Sequence, residues 1–148
     1  PADTVAVHAA LGICRSLAAL SPIPERDQTF TRQARLSCRQ VAADFAGLVI
    51  GLTASRLADE MNLKLAEQDY DTGLHYSKRN LWDSALLYFE VVWTEYPDTE
   101  WAPWALYQMI EAFGEIGYQR DAETTRDVLL EDYPDSEPAQ LLFEDGNR

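Results

Sequence analysis

The chain has 148 residues, enough to bury one continuous core and too few for two independent ones, so a single domain is expected. Twelve Lys and Arg stand against 25 Asp and Glu, and the resulting net charge of −13 argues against nucleic acid or an anionic membrane as partner. The acidic residues are scattered through apolar segments and 47% of the chain is hydrophobic, so the charge coats a folded surface and does not mark disorder.

In chain order, the apolar periodicity predicts helices over Thr4 to Leu20, Gln28 to Phe45, Thr53 to Lys78, Leu81 to Glu95, Thr99 to Ile116 and Tyr118 to Asp132, with a short tail from Ser136. No strand pattern competes. No apolar run approaches the roughly 18 residues of a membrane span, and Phe45 to Thr53 is only a short one. The opening Pro1-Ala2-Asp3-Thr4 lacks an initiator Met, a basic region and an apolar leader, which suggests a mature or trimmed piece. Cys14 and Cys38 are too few and too far apart for a zinc knuckle, and no metal or cofactor is expected.

A repeat organises the later half. Tyr96-Pro97-Asp98-Thr99 and Tyr133-Pro134-Asp135-Ser136 are one phrase written twice, 37 positions apart. Ala85 precedes Pro97 by 12 residues, Ala122 precedes Pro134 by 12, and Ala34 stands at the same distance from Ala46. In the middle unit Gly73 and Ala85 let two helix backbones approach, and Tyr76 and Phe89 fill the space beside them. Pro97 ends the second helix, and Asp98-Thr99 offers oxygens to cap the next. This is the tetratricopeptide pattern. The predicted fold is an all-α solenoid of about three antiparallel hairpins plus a C-terminal helix, with units near 4–47, 53–98 and 99–135 and a tail over 136–148. The first unit differs by about ten extra residues between its helices, including the proline-containing loop Ser21 to Thr29.

Arg26-Asp27-Gln28-Thr29-Phe30-Thr31, then Ala34, Leu65-Ala66-Glu67, Gly73, Tyr76, Lys78-Arg79 and the Tyr-Pro phrase together resemble the BamD family of outer-membrane assembly lipoproteins, over about residues 5 to 140. The resemblance implies a scaffold at the periplasmic face of the outer membrane, lipid-anchored in the full-length protein, that serves the folding and insertion of β-barrel proteins. Implied partners are periplasmic domains of the barrel-assembly subunit, accessory lipoproteins and unfolded outer-membrane protein segments. This chain departs from the family in lacking a lipobox cysteine, in starting where an earlier repeat ends, and in carrying Ala46-Gly47 where a proline phrase is usual. The first two departures suggest N-terminal truncation.

The first helices of successive hairpins line the inner curve of a solenoid. On that face the spacing places Tyr70, Leu74, Ser77 and Lys78, then Trp104, Tyr107, Glu111 and Glu115. Tyr70 and Tyr107 fit seam packing as well as docking. Trp101 and Trp104 are better docking candidates, since three tryptophans between Trp93 and Trp104 exceed one seam's need. Arg26, Asp27 and Gln28 form either a self-braced loop, with Asp27 accepting helix-start amides, or a partner contact with Arg26 as a forked donor. Arg120 is an internal charge partner or a docking point. Cys14 and Cys38 lie on the two helices of one hairpin, and an oxidising compartment would let them bond. Cys38 takes the position of Phe89, but Cys14 falls one residue short of the position of Tyr76, so buried free thiols are preferred to a bond.

Catalysis is not expected. His8 and His75 are the only imidazoles, in different units, and no nucleophile elbow, phosphate loop, His-Glu-x-x-His or paired-Cys motif occurs. Glu111 and Glu115 fit a solvated face better than an acid and base pair. Two other functions compete: a periplasmic tetratricopeptide adaptor for division or peptidoglycan enzymes, and a cytoplasmic adaptor that grips carboxylate tails. The Arg-Asp-Gln insertion weighs against the first, and the lack of a basic clamp against the second.

Overall fold

The computed structural model describes residues 4–145, and among them every regular element is a helix: α1 (Thr4–Leu20), α2 (Thr29–Asp44), α3 (Val49–Ser77), α4 (Trp82–Glu95), α5 (Trp101–Glu115), α6 (Gln119–Asp132) and α7 (Glu137–Asp145). These form consecutive helical hairpins of the tetratricopeptide type. None is long and apolar enough to cross a membrane. The chain divides into two compact units, Pro1–Leu65 and Ala66–Arg148.

In the first unit α1 and α2 pair as a hairpin whose inward residues follow helical steps. Leu11 and Cys14 of α1 meet Cys38 and Val41 of α2, and Ala54 and Ala58 of α3 complete the core, with Phe45, Ile50 and Leu57 packed at its edge. Cys14 and Cys38 are bonded, with Cα atoms 4.9 Å apart, which corrects the expectation of free thiols. One residue of offset between the two helices is within the reach of a disulfide once the backbones lie this close.

The turn from α2 to α3 has no proline, yet it repeats the hydrogen bonds of both Tyr-Pro phrases. Phe45 N–H donates to the Val41 carbonyl and Leu48 N–H to Phe45; Tyr96 and Thr99 do the same with Val92 and Tyr96, and Tyr133 and Ser136 with Leu129 and Tyr133. Helix α3 then starts at Val49, four residues ahead of the expected Thr53. Gly51 permits this, because a β-carbon there would lie 2.1 Å from the Phe45 carbonyl oxygen.

In the second unit α4 packs on α5, α5 on α6, and α7 on both α5 and α6. Covered on two sides, α5 buries Ala102, Pro103, Ala105, Leu106, Met109 and Ala112. The Phe89 ring, fully buried, lies over Gly73, where a β-carbon would come within 2.5 Å of it. A ring so enclosed contributes about 1.5–3 kcal/mol of apolar burial. The hairpin turns also repeat: Leu81 N–H donates to Tyr76 and Tyr118 N–H to Phe113, each beside a left-handed residue, Asn80 at φ 58° and Gly117 at φ 83°. The Tyr133 hydroxyl donates to the Pro97 carbonyl at 2.8 Å, so the second phrase hydrogen-bonds the first. Thr99 does not cap α5 as expected; its hydroxyl turns back to the Tyr96 carbonyl at 2.8 Å.

Candidate functional site

The expected docking residues separate into three places. The largest group is in the second unit, where α5 meets the later half of α3. Trp101, Trp104, Gln108, Glu111 and Glu115 recur at helical steps of three, four, three and four, which puts them on one stripe of α5. Tyr70, expected on the docking face, is buried at 6% exposure, its ring 5.0 Å from Trp101 and 5.7 Å from Phe89. Its place is in the seam: an aromatic side chain between two others gains from tilted ring contacts that an exposed one forgoes. Burial pushes the Tyr70 phenol above its ordinary value, a hydrogen bond with the Gln108 side chain pulls it down, and Asp71 and Glu111 push it up again.

Trp101 is half-buried and its indole N–H is shielded from solvent without an acceptor. One turn further, Trp104 is half-buried and meets Tyr107 edge-on at 6.0 Å, with Glu111 and Glu115 exposed beyond them. This stripe therefore passes from a closed aromatic seam to an open acidic end. Gln108 is the member that sequence reading missed. Its signal was available, since it stands four residues after Trp104 and three before Glu111.

Lys78 and Arg120 lie elsewhere in the same unit. Lys78 is exposed just past the end of α3, its N–H donating to the Leu74 carbonyl at 3.0 Å. Arg120 is exposed in the first turn of α6, where its carbonyl accepts from the Thr124 hydroxyl at 2.9 Å.

Arg26, Asp27 and Gln28 belong to the first unit and form a braced loop. Gln28 is buried at 1% exposure, donating to the carbonyls of Ile23 at 2.7 Å and Arg26 at 2.9 Å and accepting from the Thr31 hydroxyl. Thr31 in turn shares a 2.7 Å hydrogen bond with Ser21, and Lys64 Nζ reaches the Ser21 hydroxyl at 3.1 Å. A primary amide with both ends engaged holds the loop and offers nothing outward. Asp27 is exposed and accepts the Thr29 N–H at 2.9 Å; hydrogen bonding to Thr29 holds its carboxyl below the usual range. Among the described residues, no group of three or more His, Cys, Asp or Glu could hold a metal.

Helical hairpins in register, small residues at their crossings and one pattern of turn hydrogen bonds closing each unit define a tetratricopeptide-type repeat protein. Residues 9–129 match the family described as YfiO: Outer membrane lipoprotein, and the chain belongs to that family. It is 28% identical over 109 residues to the outer membrane protein assembly factor BamD of Caulobacter vibrioides, a match covering 74% of this chain and 36% of that protein. The chain thus spans little more than a third of that relative's length.

Proposed function

We propose that this chain is a non-enzymatic scaffold at the periplasmic face of the outer membrane that holds proteins of the barrel-assembly machinery. The family match over residues 9–129 carries this reading. The Cys14–Cys38 bond supports it, since structural disulfides persist in oxidising compartments such as the periplasm. The proposed contact surface is the open part of the α5 stripe, Trp104 and Glu111, together with Tyr107 against Trp104, with Trp101 behind it and Lys78 and Arg120 as further exposed cations of the same unit. Half-buried Trp and Tyr supply large rigid contact area at little entropic cost, which is why such residues anchor interfaces.

The test is calorimetric titration of the chain with the periplasmic domains of its own organism's barrel-assembly subunit, repeated with Trp104→Ala and Arg120→Ala. Saturable binding at about micromolar strength, weakened by about tenfold or more in Trp104→Ala, is the expected result. Absence of heat at tens of micromolar protein would count against the scaffold reading for these repeats.

A further inference from the structure

The acidic residues are divided unevenly between the two units, which leaves the first with a slight basic excess. Pro1–Leu65 holds seven Lys and Arg against six Asp and Glu, a net charge of +1, while Ala66–Arg148 holds five against nineteen, a net charge of −14. Within the first unit three arginines, Arg32, Arg35 and Arg39, stand on α2, which has no acidic residue before Asp44. Helix α2 turns Thr31, Ala34, Cys38 and Val41 inward, and its opposite face exposes Arg32, Leu36 and Arg39 at i, i+4 and i+7. That places two guanidinium groups about 10 Å apart along the axis, with an aliphatic side chain between them. Leu36 is 64% exposed.

The carboxylates at either end of this stripe are already engaged. Asp27 accepts the Thr29 amide and feels Arg32 only as its weakest partner, and Asp44 accepts from Gln40 Nε2 at 2.8 Å. Among the described residues, neither Arg32 nor Arg39 forms a salt bridge.

We infer that this face of α2 docks an acidic amphipathic helix of a partner protein, with carboxylates at i and i+7 about a central apolar side chain. Guanidinium forks match carboxylates in a bidentate geometry, and Leu36 supplies the apolar contact that separates such a partner from a bare anion. An extended anionic surface, whether membrane or nucleic acid, would be repelled by a chain of net charge −13, whereas a single acidic helix meets only the local positive stripe.

The probe is a fluorescent helical peptide of about 15 residues carrying Glu-x-x-x-Leu-x-x-Glu, with a twin in which both Glu are Lys. Anisotropy titration with the whole chain should show saturable binding of the Glu peptide that weakens with salt. The double substitution Arg32→Glu, Arg39→Glu should weaken it by about tenfold or more and give binding to the Lys twin. Arg32→Lys with Arg39→Lys, which keeps charge and loses the forks, should weaken it by a smaller factor. Circular dichroism should be unchanged in all variants, because both side chains are exposed. No saturable binding of the Glu peptide, or binding indifferent to charge reversal, overturns the inference. So does capture of the chain by phosphatidylglycerol vesicles through the same arginines in preference to the peptide.

Discussion

Cys14 and Cys38 join positions 24 residues apart, and closing a loop of that length in the unfolded chain is worth about 3.5 kcal/mol in the chain-entropy account. Urea unfolding with and without reductant should therefore differ by about that amount, and the difference should vanish in the Cys14→Ala, Cys38→Ala double variant. Tyr70 carries a pH dependence of calculable sign. Its folded value lies above that of the unfolded chain, which is near 10, so the proton is retained in the fold after the unfolded chain has lost it. The associated stability is complete below about pH 10 and drains as the pH rises through the folded value. Tyr70→Phe should flatten this alkaline decline in denaturant midpoint, leaving the part due to Tyr133, which burial raises likewise. Both residues also show where pattern reading stopped. Helical spacing assigns a residue to a face and carries no distance, so it could neither bring two Cα atoms within 4.9 Å nor decide whether Tyr70 faced a partner or Trp101.

Individual helices were far more legible. Every predicted helix exists, and α1 ends at Leu20 as expected because Ser21-Pro22 follows its last apolar step. The early start of α3 was not expected, since helical spacing does not show that Gly51 allows the first helical turn to pass the Phe45 carbonyl. The crossing of α3 and α4 supplies a sharper test. Replacing Gly73 by Ala improves helix propensity by about 1 kcal/mol, but the added methyl collides with the Phe89 ring, which is fully buried and has nowhere to retreat. Overpacking of this kind costs about 1–3 kcal/mol, so Gly73→Ala should lower the thermal midpoint by several degrees despite the better helix former. The double variant Gly73→Ala, Phe89→Leu should recover part of the loss.

Over the whole molecule, charge governs colloidal behaviour more than fold. With a sequence pI near 4.4 and a net charge of −13 at neutral pH, the chain should stay dispersed around pH 7 and self-associate as the pH falls toward the mid-fours, read directly by light scattering. The braced loop after α1 has a different consequence. Its residues, Ser21 to Gln28, lie inside the covalent ring closed by Cys14 and Cys38, and the loop is further tied to α3 through Lys64. A protease that nicks this loop at the exposed Arg26 therefore makes two polypeptides without making two molecules. The product would migrate as an uncut protein on a non-reducing gel and come apart only when thiol is added.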